Sequence, residues 1–167
     1  NIADTQHAIF EYDGLNCVWQ HRTWGTFADP DYPWAFKIYG EKGTLSGDPM
    51  KYDFTPVDDG KKLHGDTLYE REKYPEDLNE EDIELHAASA TRMHMRNFID
   101  AIDNKTLPVA DIEQGHISTA SCILANISMQ LGRPVRYDHK KMAVIGDPEA
   151  TKLLQRPYRR PWEHPMS

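Results

Sequence analysis

The chain has 167 residues, 39% of them hydrophobic and 28% charged, with a formal net charge of −8. That length fits a single domain over residues 1–167, able to bury roughly 70% of its unfolded surface. The acidic balance disfavours non-specific nucleic-acid or anionic-membrane binding. No apolar run has the length of a membrane span and no signal peptide is visible, so a soluble protein, cytoplasmic or periplasmic, is expected. Cys17 and Cys122 are the two cysteines. Without a Cys-x-x-Cys they can form one bridge at most, and two buried free thiols are expected.

The chain opens on Asn1-Ile2-Ala3 rather than methionine, which reads as a piece of something longer. Gln6 to Glu11, Asp13-Gly14 and Leu15 to Thr23 read as strand, turn and strand. Gly25 to Pro33 holds two prolines and is a loop. Trp34 to Tyr39 alternates as a strand, Gly40-Glu41-Lys42-Gly43 turns, and Thr44-Leu45 starts the return. Met50 to Pro56 is a further strand, Asp58-Asp59-Gly60 a turn, and Leu63 to Glu70 a weaker edge strand. About six antiparallel strands result, with no βαβ pattern.

The period then changes. The acidic run Glu76, Asp77, Glu80, Glu81, Asp82 and Glu84 reads as a solvated helix N-terminus, with Asn79 or a neighbour expected to cap a helix that has acidic residues in its first turn. Thr91, Met95, Phe98, Ile99 and Ile102 share one face. A second helix starts at Ala110-Asp111, carries Ile112, His116, Ala120, Ile123, Leu124, Ile127 and Leu131 as a stripe, and stops at Gly132. Pro134 to Asp138 returns as a strand, and Asp147-Pro148-Glu149 opens a last short helix. The tail from Arg156 is expected to be extended, with Tyr158 and Trp162 as anchors. Strands followed by helices give an α+β fold: an open antiparallel sheet of about six strands with helices packed on one face. The other face, with Trp19 and Phe36, calls for a partner.

No independent catalytic signature is present: no Gly-x-Gly-x-x-Gly after a strand, no Walker loop, no His-Glu-x-x-His, no Gly-x-Ser-x-Gly. Gly40, Gly43 and Gly47 sit in a hairpin with no helix N-terminus behind them, so they do not read as a phosphate cradle. His86 and His94 are too far apart in sequence for one metal unless a third element joins them. The densest polar and aromatic patch is Trp19 to Gly25, with His21, Arg22 and Trp24, followed by Tyr32 and Trp34 across the proline loop. Flat aromatic faces beside fork donors suit a carbohydrate. The alternative is a sheet using tryptophan for bulk, with His21 and Arg22 pairing locally. His116 on an apolar stripe reads first as a core histidine, although the preceding Gly115, costly inside a helix, suggests close approach of backbone or ligand.

Taken in order, W-Q-H-R-T-W-G (Trp19 to Gly25), F-K-I-Y-G-E-K-G-T-L (Phe36 to Leu45), R-N-F-I-D-A-I (Arg96 to Ile102), D-I-E-Q-G-H-I-S-T-A (Asp111 to Ala120), G-R-P-V-R-Y-D (Gly132 to Asp138) and R-P-Y-R-R-P-W (Arg156 to Trp162) resemble the bacterial-type C-terminal domain of Gfo/Idh/MocA oxidoreductases. The resemblance implies a dihydrodipicolinate-reductase-like C-terminal fold, with the Rossmann domain that holds NAD or NADP absent from this chain. It implies a sugar or polyol hydroxyl as the reacting group and homo-oligomer formation through the exposed sheet face. The family's catalytic lysine of Glu-Lys-Pro and its Asp/His pair have no counterpart here, so no catalytic residue is assigned and the isolated chain is expected to be inactive. His21, Arg22, Trp24, Tyr32, Trp34 and His116 are the candidate substrate-side residues. A stand-alone carbohydrate-binding or assembly module, and an NAD-dependent glycoside hydrolase of the same family, are the alternatives.

Overall fold

A computed structural model describes residues 3–155 and 158–163 and divides into two compact units, Asn1–Thr106 and Leu107–Ser167. In the first unit, β1 (Thr5–Tyr12) and β2 (Leu15–Arg22) form a hairpin closed by Asp13-Gly14, where Gly14 takes φ 77°. A four-stranded antiparallel meander follows: β3 (Phe36–Gly40), β4 (Gly43–Gly47), β5 (Lys51–Pro56) and β6 (Leu63–Asp66), in that order across the sheet. The six expected strands are all present and antiparallel, but they divide into a two-stranded and a four-stranded sheet.

The division has a local cause. The Pro30 and Pro33 region cannot continue a ladder, and Trp34, expected at the head of β3, sits at φ 57°, which no extended strand permits. Pairing therefore begins at Phe36. The hairpin turn is also tighter than expected, with Glu41-Lys42 alone between the paired glycines Gly40 and Gly43.

Register separates the meander into two chemically distinct faces, because directly opposed residues share a face. One row runs Phe36, Gly47, Tyr52, Gly65 and a second runs Ile38, Leu45, Phe54, Leu63. In the first row each glycine lies under an aromatic ring: a Cβ on Gly47 would stand 2.8 Å from the Phe36 ring. The opposite face carries the row Lys37, Ser46, Asp53, His64. The apolar face is uncovered, with Phe36, Ile38, Tyr52 and Leu63 between 44% and 54% exposed.

After β6 the chain makes a 3-10 turn, Pro75–Leu78, before α1 (Leu85–Asn104). The expected acidic cap is corrected here: Glu84 occupies the cap position without a side-chain bond, and no acid lies in the first helical turn. Pro75 starts the short turn instead, taking Glu76 and Asp77, and Glu80, Glu81, Asp82 and Glu84 fall between it and α1. α1 is fastened to the short turn and to the stretch before it. Ser89 donates to the Leu68 carbonyl, Arg92 forks onto Asp77 and stacks 3.9 Å from the Tyr74 ring centroid, and Arg96 reaches Glu70 at 3.2 Å. The α1 stripe of Met95, Phe98, Ile99 and Ile102 is exposed.

In the second unit, α2 (Ile112–Leu131) is capped by Asp111, whose carboxylate accepts from the Glu113 and Gln114 amides at 2.8 and 3.0 Å. It ends at Gly132 in the left-handed region, φ 65°, as expected of a helix C-terminus. The expected strand over 134–138 shortens to β7 (Tyr137–Asp138), which pairs with β8 (Ala143–Val144). Asp147 caps α3 (Pro148–Leu153) through the Ala150 amide at 3.0 Å. Ile127, Val144 and Ala150 form the core of this unit. Both cysteines are exposed free thiols, contrary to the buried expectation, because Cys17 lies on a hairpin with no covering layer and Cys122 on an exposed stretch of α2. Of the tail, Arg156, Pro157 and 164–167 lie outside the described residues; Trp162 is exposed rather than anchored.

Candidate functional site

The polar face of the meander and the loop over 23–35 form one continuous arrangement. Asp53 on β5 is its centre. Its Oδ2 accepts from the Tyr32 hydroxyl at 2.5 Å, and its Oδ1 faces His64 Nδ1 at 2.8 Å. The other ring nitrogen of His64 lies 3.1 Å from Asp66 Oδ2. With a carboxylate at each nitrogen, both must donate, so the favoured form is the imidazolium. One turn of the loop earlier, Asp29 pairs with Lys37 at 2.9 Å. Lys37 and Asp53 stand in the same cross-strand row, so the loop is fastened to β3 and to β5.

The titration directions follow from these contacts. The hydrogen bond to Asp53 pushes the Tyr32 phenol up to about 12, which makes it a hydrogen-bond donor rather than a base. Bonds from Tyr32 and then His64 hold Asp53 below the usual carboxylate range. Asp53 and then Asp66 raise His64. Lys37 holds Asp29 low, and Asp29 raises Lys37. The Lys51 ammonium lies 4.9 Å from the Tyr32 ring centroid, closing the row on that side.

The loop so held presents aromatics to solvent. Trp24, Phe27 and Trp34 are all exposed, Trp34 at 64%. Trp24 donates its indole N–H to Thr5 Oγ1 at 2.9 Å, and the Arg22 guanidinium lies 5.8 Å from its ring while donating to the Thr26 carbonyl at 2.6 Å. Trp34 holds a left-handed backbone that a large side chain rarely adopts; such outliers collect at sites where the surroundings over-determine the conformation.

Of the residues expected at a substrate site, Arg22, Trp24, Tyr32 and Trp34 all lie at or on this loop. Arg22 works with Trp24 and Thr26. His21 does not pair with it, since successive strand residues point to opposite faces. His116 belongs to the other unit; it is exposed on α2 rather than a core residue. A Cβ on Gly115 would meet nothing within 4 Å, so no close backbone approach explains that glycine. Asp53, His64, Asp66, Asp29 and Lys37 are absent from the sequence-level site. The signal available for three of them was strand alternation, which puts Lys37, Asp53 and His64 on the polar side of their strands.

These residues do not make a dinucleotide cradle. Among the described residues every strand pair is antiparallel. Gly43 and Gly47 seat the Phe54 and Phe36 rings instead of opening a helix onto a phosphate. Among the described residues no group of three or more His, Cys, Asp or Glu could hold a metal ion, and no helix is long and apolar enough to cross a membrane.

Comparison with known proteins adds a family. No curated protein and no solved structure matches the chain significantly. The family model described as "Oxidoreductase family, C-terminal alpha/beta domain", of the Gfo/Idh/MocA group, matches residues 61–164, from the start of β6 through both long helices into the tail. Its alpha/beta character agrees with antiparallel sheets and three helices observed here. With more than half its length matched, the chain belongs to the Gfo/Idh/MocA oxidoreductase family, of which it carries the C-terminal alpha/beta domain.

Proposed function

We propose that this chain is the substrate-side and oligomerisation domain of an oxidoreductase that moves hydride between NAD or NADP and a sugar or polyol hydroxyl. A separate Rossmann domain would hold the nucleotide, and the chain would not turn over alone. The observation that carries the reading is the family match, since the family is generally NAD(P)-dependent. The loop over 23–35 supports the substrate side. It offers the exposed rings of Trp24 and Trp34 for stacking, and Arg22, Tyr32 and the polar row for hydroxyls. His21 is kept as a contributor from the opposite face of β2.

Partner surface has its own support. Phe36, Ile38, Tyr52 and Leu63 stand in the aromatic and aliphatic rows of the meander and are 44% to 54% exposed, and a second copy of this chain is the occupant we assign to that face.

Titrating aldoses and polyols into the chain, with tryptophan fluorescence as readout, tests the substrate side. A response is expected from the wild type and loss of it from Trp34→Ala. Because Trp34 is exposed, that substitution should leave the unfolding midpoint nearly unchanged. A midpoint fall of the size seen for core residues would refute the site role. Quenching of NADH fluorescence by the chain alone would refute the separate cofactor domain.

A further inference from the structure

The strongest feature outside the polar face lies on the other side of the sheet. At the β4–β5 turn, Asp48 is 8% exposed. Its Oδ1 accepts from the Met50 and Lys51 amides at 2.7 and 2.9 Å, which folds the turn. Its Oδ2 is buried and has no hydrogen-bond partner among the described residues. A buried carboxylate oxygen left unpaired costs free energy, and native structures rarely leave one so without a reason. Asp48 also lines an open cavity of about 410 Å³, a volume within the range of small-ligand sites.

The walls of that cavity define what it would take. Phe36 and Tyr52 supply aromatic rings, Leu45 and Gly65 lie on the same apolar face, and Thr67 closes the end with its hydroxyl on the Pro49 carbonyl at 2.8 Å. Lys51 and Asp66 contribute to the lining, but their charged heads are engaged on the polar face, Lys51 over the Tyr32 ring and Asp66 with His64. Among the described residues Asp48 therefore has no basic partner, and the cavity pairs its carboxylate with two aromatic rings. That combination suits a cation carrying N–H donors: the carboxylate takes a charge-assisted bond and ring faces attract the remaining charge.

We propose that this cavity binds an organic cation, a primary ammonium or a guanidinium group, with Asp48 Oδ2 as its counter-charge and Phe36 and Tyr52 as its walls. The inference is independent of the substrate side proposed above, which lies on the opposite face of the sheet, but it shares Phe36 and Tyr52 with the face assigned to a second copy. The group is presented either by a free small molecule or by a lysine or arginine side chain of a second copy.

The test follows the Met50 and Lys51 amides by NMR, because both bond the Asp48 carboxylate, while agmatine is added to the chain at low salt. Saturable shifts of these two amides are expected, with no response to sorbitol, a neutral polyol. Asp48→Asn keeps an oxygen for both amides but removes the charge, and should weaken agmatine at least about tenfold, as expected for loss of a charge-assisted partner. Should that variant fold poorly, Tyr52→Leu leaves Asp48 in place and removes a ring, and should weaken agmatine several-fold. Dissociation of an oligomer by agmatine, seen in sedimentation, assigns the cation to a second copy; an unchanged oligomeric state assigns it to a free ligand. No shift, equal shifts with sorbitol, or an Asp48→Asn variant that folds and binds like wild type would overturn the proposal.

Discussion

Gly65→Ala isolates the aromatic-over-glycine arrangement of the meander in one methyl group. A Cβ at Gly65 would stand 2.6 Å from Tyr52 Cζ. Carbon atoms rest about 3.5–4.0 Å apart, so the ring has to withdraw by about 1 Å or swing off the sheet. Overpacking of this kind costs about 1–3 kcal/mol. Against it stands a gain of about 0.5–1 kcal/mol, because alanine loses less backbone freedom than glycine in a strand. The net expectation is destabilisation by about 1 kcal/mol. In a Tyr52→Ala background only the gain remains, and Gly65→Ala should stabilise. The coupling between the two sites is then about 1–3 kcal/mol, well above the few tenths typical of independent positions. Amide exchange at Phe54 and Leu63, which sit opposite each other in the β5–β6 ladder, reads this locally and avoids assuming that both units unfold together. Equal destabilisation by Gly65→Ala with and without the Tyr52 ring would refute the reasoning, and so would outright stabilisation of the wild type.

The fastening of the 23–35 loop should depend on pH at both ends of a window. His64 is raised above 6.5, so its contribution is complete below that value and disappears as pH rises through its folded value. Asp53 is lowered below 3.8, so its contribution is present above that value and disappears as pH falls through its folded value. Protection of loop amides should therefore be greatest between the two; Asp53→Asn should flatten the profile and return the Tyr32 phenol from about 12 toward 10.0, measured by NMR of ring-labelled tyrosine. A pH-independent loop would count against the His64–Asp53–Tyr32 connection. In the second unit, Ile127 is 4% exposed at the centre of the core. Ile127→Ala should cost about 2–5 kcal/mol, enough to unfold a body of this size with so few buried residues. Circular dichroism should show loss of the α2 and α3 contribution at ordinary temperature; retention of a cooperative transition near the wild-type midpoint would refute that account of the core.

Much of this was legible because the residues that decide it are neighbours in the chain. Asp111 and Gly132 bracket α2, and Asp147-Pro148 opens α3, because caps act within a few residues. Alternation likewise marked a strand over Trp34 to Tyr39, and Met50 to Pro56 read as another; the ladders run over Phe36–Gly40 and Lys51–Pro56. What was not legible depended on register. Lys37, Asp53 and His64 are separated by 16 and 11 residues in the chain, read from their numbers, and meet only because Lys37 pairs with Ser46, Ser46 with Asp53 and Asp53 with His64. A hairpin shifted by one residue would have thrown each to the other face. Tyr32 was picked out for its aromatic ring, whereas its place at the site comes from its hydroxyl on Asp53. The acidic run failed differently: Pro75 started a turn that took Glu76 and Asp77, and the later acids became connection instead of first turn.

The two faces of the meander also explain its glycines, Gly47 among those set aside as a phosphate cradle and Gly65 not noticed in the sequence. Gly47 and Gly65 are small because Phe36 and Tyr52 lie across them, which keeps the apolar face low at the β4–β5 end. A larger residue at either position would lift a ring and fill the space beside Asp48. The same substitution would leave Lys37, Asp53 and His64 in register on the reverse side, since backbone pairing and not those rings sets their row. Gly65→Ala should therefore weaken agmatine binding at Asp48 about as Tyr52→Leu does, while leaving the pH window of the loop intact. Loss of both together would mean that the faces are coupled through the sheet, and that the cavity and the loop belong to a single site.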